Sequence, residues 1–264
     1  MPEDKPEAVV ATMTFDKGDR AESDRLVRYL SVLSKQGMPI VAVDGGRLPR
    51  TEERLKKLGI RVVRQEAGRV GAAIHQAVME AYDLSCDLSI GQIQYTEPVK
   101  ECFLEMRKLG APISQGRADI VFPSRDDASF STFPANQQRT EGWFNLIAST
   151  RTGVDGDHTY GPKRFKRHIS KHFDAFWDNY RKDDWTELLG PVYSAIHGGA
   201  RATMVPIHGP CPKPERTETT EKDTRHRMAQ ATQNFEALLI GFNSYSQWKV
   251  QTFNERLCNM FNLK

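Results

Sequence analysis

Short apolar runs alternating with longer amphipathic ones constrain this chain more than any single motif. Residues 8–14, 38–43, 61–64 and 118–125 are brief runs of apolar and β-branched side chains, the pattern of strands buried in a sheet. Residues 24–36 between them set Leu26, Leu30 and Leu33 on one helical face, and residues 52–58 and 71–82 carry further helices, the second with Ala72, Ile74, Ala77 and Val78. This alternation predicts an α/β fold, a mainly parallel sheet with helices on both faces. Residues 86–90 read as one more strand, stopping at the polar knot Gly91-Gln92-Ile93-Gln94-Tyr95-Thr96-Glu97-Pro98.

The second half changes character. Residues 143–148 are apolar, and Asp155-Gly156-Asp157-His158 signals a turn. Residues 162–180 read as one amphipathic helix, since Phe165, Ile169, Phe173, Phe176 and Tyr180 recur at three- and four-residue spacing. Lys163, Arg164, Lys166, Arg167 and Lys171 fall opposite them, a solvated face or a seat for a phosphorylated acceptor. A strand at 200–207 and a proline-rich loop at 206–214 precede a long helix over 221–243, which residues 244–262 extend. The expected organisation is one α/β domain over residues 1–215 and a helical C-terminal extension over 216–264 packed on it.

Composition excludes several classes of function. With 37 basic against 34 acidic side chains, net +3, no global charge calls for nucleic acid. Cys86, Cys102, Cys211 and Cys258 form no C-x-x-C pair and read as reduced thiols. No signal peptide and no apolar run long enough for a transmembrane segment is legible, so a cytoplasmic protein is expected.

In open α/β sheets, ligands sit beyond the carboxyl ends of the strands. The polar strand ends at Asp44 and at the Gln92-containing knot, with Arg125 closing a later strand, therefore mark the expected site. Glu66-Ala67-Gly68-Arg69-Val70-Gly71-Ala72-Ala73-Ile74 is a loop running into a helix. It lacks the G-x-G-x-x-G spacing after the first strand that a dehydrogenase requires. Thr12-Met13-Thr14-Phe15-Asp16 is likewise not the phosphate loop of a sugar-phosphate nucleotidyltransferase.

Taken in order, these segments resemble the nucleotide-sugar glycosyltransferases of the GT-A fold over roughly residues 8–210. Asp44 resembles their nucleotide-contacting acidic residue, and 66–74 their loop-to-helix segment. Ala118-Asp119-Ile120-Val121-Phe122-Pro123-Ser124-Arg125 is very similar to a signature of dolichyl-phosphate-mannose-synthase-like enzymes. Asp183-Asp184-Trp185 before an apolar helix, then the strand through Met204-Val205-Pro206-Ile207, resembles the end of that catalytic core.

The resemblance implies a nucleotide-sugar donor held near Thr12, Asp44, Gly68, Arg69, Gly71, Gln92, Gln94 and Arg125. A hydroxyl acceptor would enter beside Trp143 and Asp157, and the assembly can be a homo-oligomer. Asp184, with Asp183 beside it, is the implied base for the acceptor proton; capping of the following helix is the alternative use of an Asp there. The Asp-x-Asp that holds Mg²⁺ or Mn²⁺ in such enzymes is replaced by Gln92-Ile93-Gln94, whose amides suit a hard cation poorly. Glu97 and His208 are the remaining candidate metal ligands. Arg225, Arg227 and Gln230 resemble a basic segment that closes over the donor phosphates. A catalytically silent sugar-nucleotide-binding protein is the competing reading, carried by the missing carboxylates.

Overall fold

The computed structural model describes residues 6–14, 20–45, 49–66, 69–97, 101–211 and 221–242. The chain alternates β1 (Val9–Thr14), α1 (Arg20–Lys35), β2 (Ile40–Asp44), α2 (Pro49–Lys57), β3 (Arg61–Arg64), α3 (Val70–Asp87) and β4 (Gln92–Thr96). A 3₁₀ segment (Glu101–Gly110) and the short α4 (Ala111–Ser114) lead to β5 (Ile120–Arg125), α5 (Asp127–Phe130) and α6 (Ala135–Thr152). Then come β6 (Lys163–Lys166), α7 (Ser170–Tyr180), α8 (Thr186–His197), β7 (Ala202–Ile207) and α9 (Glu221–Gly241).

Seven strands form one sheet in the order β3-β2-β1-β4-β6-β5-β7. β6 runs antiparallel to both its neighbours, and the other pairings are parallel. Both faces are covered, as the alternation predicts. Ile74, Val78, Phe165, Phe173 and Val192 fill the layer under α3, α7 and α8, whereas Leu26, Leu30, Leu33 and Leu55 bring α1 and α2 onto the opposite face. No helix of the described residues is long and apolar enough to cross a membrane.

Two elements differ from the sequence expectation. Cys86 and Asp87 finish α3 instead of starting a strand, and β4 is the polar knot itself, Gln92–Thr96. The polar side chains of this strand are answered only in part: Gln92 donates to Ser114 Oγ (3.0 Å) and accepts from Arg164 Nε (2.7 Å), whereas the Gln94 amide and the Thr96 hydroxyl have no hydrogen-bond partner among the described residues. The expected helix over 162–180 is likewise split into β6, a 3₁₀ turn and α7. Lys163 and Arg164, read as a solvent-facing basic surface, are buried. Arg164 is held by Gln92 and Glu7 (3.1 Å), and Lys166 by Asp119 (2.7 Å). Phe165 matches the helical period of α7 only by coincidence.

α9 continues the fold by lying on α8 and α6. A β-carbon on Gly241 would stand 2.9 Å from the Gly190 carbonyl oxygen and 2.6 Å from Tyr193 Cβ, so the α8 and α9 backbones approach as only small residues allow. The extension beyond residue 242 lies outside the described residues.

Within the first turn of α8, Glu187 is completely buried and neither carboxylate oxygen has a hydrogen-bond partner among the described residues. Burial, and then the nearby Asp184 charge, push its carboxyl up to about 9. A folded-state value above the unfolded one favours folding fully below about 4.5, and the contribution is lost as pH rises towards 9. Glu187→Gln should therefore stabilise the protein on the order of 2–3 kcal/mol at pH 7–8 and leave it unchanged near pH 4. Urea unfolding at both pH values checks this; equal stability of the two proteins at pH 8 would refute it.

Candidate active site

Parallel strands deliver their carboxyl ends to one edge of the sheet. Here Thr14 and Asp44 end β1 and β2, Thr96 and Glu97 end β4, Arg125 ends β5 and His208 follows β7. β6 runs the other way, so the loop before it, residues 157–162, joins the same edge. Thr14 Oγ1 donates to Asp44 Oδ1 (2.7 Å), orienting that carboxylate. Thr12 sits deeper, bonded to the Thr96 carbonyl (2.8 Å) and fully buried.

Gln92 belongs to the opposite edge, because it begins β4 and Asp44 ends β2. The expectation that Asp44 and Gln92 share one edge is corrected accordingly; the displaced strand boundary is its cause. Gln94 is also removed from any ligand, being fully buried mid-strand with neither amide atom partnered among the described residues. The slot at the carboxyl end of β4 is instead Thr96-Glu97, with one carboxylate.

Arg125 is the most elaborately held side chain at this edge. Its guanidinium donates to Asp157 (2.5 and 3.0 Å), Glu141 (2.6 Å) and Thr159 (3.1 Å), and lies over the rings of Phe133, Phe130 and Tyr160 at 4.4, 4.8 and 4.9 Å. Burial alone would lower its basicity, but Glu141 and Asp157 more than offset that and raise it. Asp157 also receives Asn145 Nδ2 (3.2 Å) and the Thr159 hydroxyl (2.8 Å). Arg125 and Asp157, expected on the donor and acceptor sides respectively, are thus parts of one buried network.

Lys163 completes the floor. Its ammonium donates to the carbonyls of Tyr160 and, at 3.2 Å, Pro162, which ties down the 160–162 loop. Burial lowers its basicity to about 7, against the opposing pull of Asp157 and Glu97.

Above this floor opens a cleft, part of it exposed to solvent. Glu97, Thr159 and Gly161 form one wall; Gln137, Thr140 and Glu141 of α6 form a second. Trp185, Leu188 and Leu189 supply an apolar wall, and Arg227, Gln230 and Asn234 of α9 the remaining side. The Glu97 carboxylate rests directly against Gly161, where a β-carbon would lie 2.5 Å from Glu97 Cδ. Trp143, expected on the acceptor side, is 53% exposed on α6 and does not line this cleft.

The two aspartates after α7 have defined structural tasks. Asp183 accepts the backbone N–H of Arg69 (2.7 Å) and Ala72 (3.1 Å), capping α3 from 114 and 111 positions away. The close approach at Gly71 serves this contact and not a donor, because a β-carbon would meet Asp184 N at 2.6 Å and Asp183 Cα at 2.7 Å. Asp184 Oδ1 accepts the N–H of Thr186 (2.8 Å) and caps α8. Gly68 lies outside the described residues. Asp183→Ala should cost about 0.5–2 kcal/mol, as for other lost helix caps, measurable by urea unfolding; unchanged stability would show the cap carries no load.

His208 is bound at Nδ1 to Asp126 Oδ2 and Ser129 Oγ, both 3.2 Å, and its backbone N–H reaches Glu105 Oε2 at 2.8 Å. Among the described residues, no three His, Cys, Asp or Glu side chains group to hold a metal ion. Glu97 is the carboxylate at the end of β4, and a divalent cation held there would take its remaining oxygens from donor phosphates and water.

Sequence reasoning missed Gln137, Thr140, Glu141 and Thr159. Gln137 and Glu141 stand four apart on one face of α6, and Gln137 Nε2 donates to Glu141 Oε1 at 2.6 Å. That spacing was the available signal.

No protein-family model matches the sequence, and no curated protein matches it significantly. Solved structures do. Glucosyl-3-phosphoglycerate synthase from Mycobacterium tuberculosis, in complex with phosphoglyceric acid, superposes with a TM-score of 0.62 at 14% identity, covering 90% of this chain and 80% of that one. The fold is GT-A-like. The same synthase with Mn²⁺, UDP-glucose and phosphoglyceric acid gives 0.62 at 14% identity, covering 91% and 80%. Its complex with Mn²⁺, UDP and phosphoglyceric acid gives 0.61 at 14%, covering 90% and 79%.

Proposed function

We propose that this protein is a nucleotide-sugar-dependent glycosyltransferase that transfers the sugar to a hydroxyl acceptor. The observation that carries the reading is the polar cleft beside Glu97 at the carboxyl edge of a GT-A-like sheet. The donor lies along the ends of β1 and β2, with Asp44 towards the nucleoside and Arg69, at the start of α3, towards the diphosphate. The acceptor occupies the cleft between α6 and α9. A structural neighbour was crystallised with UDP-glucose, Mn²⁺ and phosphoglyceric acid, which supports a nucleotide-sugar donor and a separate acceptor. The likeness of residues 118–125 to dolichyl-phosphate-mannose-synthase-like enzymes supports the same class of donor.

Chemically, the chain must position a hydroxyl, accept its proton and stabilise a departing diphosphate. Glu97 is the carboxylate that faces the acceptor and takes the proton. Asp184 is demoted to a positioning role, since its oxygen is engaged in capping α8. Arg125 fixes the floor through Asp157 and Glu141, and the cleft walls exclude competing water.

Thermal-shift screening of nucleoside diphosphates and their sugars, with and without Mg²⁺ or Mn²⁺, tests the reading. A bound donor at 100 times its dissociation constant raises stability by about 2.7 kcal/mol. Absence of any shift would overturn it. The single carboxylate at the end of β4 favours a second reading, a sugar-nucleotide-binding protein without turnover; stabilisation without release of free nucleotide over hours would select it.

A further inference from the structure

We propose that the loop over residues 157–162 is a seat that fixes the Glu97 carboxylate, with Gly161 as the surface it rests on and Lys163 as the positioning residue that holds that surface in place. The inference deepens the transferase reading, in which Glu97 takes the acceptor proton, and rests on it for the catalytic consequence alone.

Every residue of this loop is anchored. Arg125 grips its first half, donating to Asp157 (2.5 and 3.0 Å) and Thr159 (3.1 Å) and lying 4.9 Å from the centre of the Tyr160 ring. The His158 N–H donates to Asn145 Oδ1 at 2.9 Å. Lys163 gathers the second half, since its ammonium donates to three successive carbonyls, those of Tyr160, Gly161 (3.5 Å) and Pro162 (3.2 Å). One cation meets three consecutive peptide oxygens only while the chain curls around it, so the ammonium sets the path of the backbone at Gly161. Lys163 is completely buried, 5.2 Å from the centre of the Phe122 ring. An ammonium is a costly group to bury, and an apolar side chain would fill the same space without gathering the carbonyls.

Gly161 is where the loop meets Glu97. A β-carbon on it would lie 2.5 Å from Glu97 Cδ and 3.3 Å from Glu97 Cγ, so the carboxyl group lies on the glycine backbone itself. Gly161 is not among the glycines with positive φ, so its backbone also admits alanine. A glutamate side chain has several rotatable bonds, and a wall of backbone removes rotamers that would carry the carboxylate away. A base must meet its hydroxyl within hydrogen-bond reach, and a support held by buried groups supplies that precision.

NMR of the full chain labelled with ¹³C at its glutamate carboxyls tests this, the Glu97 signal being identified by its loss in Glu97→Gln. Gly161→Ala adds one methyl, changes no charge and meets first the end of a flexible side chain. It should shift the Glu97 signal and leave the urea midpoint unchanged. With a donor identified by binding, the same variant should lower kcat by about 10–10²-fold, with donor affinity held within about threefold. Lys163→Met should show the same split, and Lys163→Arg should recover part of the loss, because a guanidinium still donates to carbonyls; if Lys163→Met does not fold, Gly161→Ala carries the test. A Glu97 signal unmoved by Gly161→Ala, or full turnover in that variant, overturns the proposal. The two readings separate cleanly. A displaced Glu97 signal in a protein that binds no donor removes the transferase and leaves the seat, whereas turnover with an unmoved signal removes the seat and leaves the transferase.

Discussion

Arg125→Met should lower the free energy of unfolding by about 3–5 kcal/mol, the usual result of removing one partner from a buried ionic network. The substitution keeps the apolar stem among Phe130, Phe133 and Tyr160 but strips Asp157 and Glu141 of their common cation. Asp157 reports the change through pH. In the intact protein burial pushes the Asp157 carboxyl up, but the Arg125 charge and the bonds from Arg125 and Thr159 prevail and hold its pKa at about 2, below the ordinary 3.8. Its contribution is therefore present above about 3.8 and lost as pH falls towards 2. Without Arg125, burial governs, the carboxylates take protons more readily, and the deficit should be largest at neutral pH and shrink below about pH 4. Urea unfolding of both proteins at pH 7 and pH 4 measures it. Arg125→Lys should recover only part of the loss, since an ammonium cannot bridge both carboxylates with the same planar fork. A neutral-pH deficit under about 1 kcal/mol would mean the carboxylates find another counter-charge.

Glu97→Gln should reduce turnover on the order of 10²–10⁴-fold, the range for loss of a general base, once a donor has been identified by binding. Asp184→Asn should leave turnover within about threefold, because Asn caps a helix about as well as Asp. The pair separates a carboxylate that lines the cleft from one that accepts the Thr186 N–H. Donor affinity and thermal stability serve as controls for both. The reverse pattern, a silent Glu97→Gln and a disabled Asp184→Asn, would return the proton to Asp184 and move the chemistry to the start of α8.

Much of the frame was legible because apolar continuity and helical period are local properties. β1, β2 and β5 are runs of buried side chains, and α1 shows its leucine stripe directly. β4 was displaced because Gln92, Gln94 and Thr96 give it the polarity of a loop, and the partner that answers Gln92, Arg164, stands 72 positions along the chain. β6 was hidden for the converse reason: Lys163 and Arg164 resemble solvent-facing residues until carbonyls and Glu7 are brought to them. The site divides the same way. Strand-end residues such as Asp44 and Arg125 could be read as an edge, whereas Gln137 and Glu141 of α6 and Asn234 of α9 face a cleft that exists only once those helices meet. Asp183 could not be read as a cap for α3, since nothing in the sequence joins it to Arg69 across 114 positions.

That cap also gives the site a mechanical property. Asp183 grips the start of α3 and Asp184 the start of α8, so two helix origins are tethered to adjacent links of one chain. Neighbouring α-carbons stand about 3.8 Å apart across a rigid planar peptide, and Gly71 fits against this dipeptide with no slack. The Arg69 end of one helix and the Trp185 end of the other therefore share a single joint. Displacing either drags its neighbour, so strain at the start of α3 is felt at the Trp185 wall of the cleft without any long relay through the sheet.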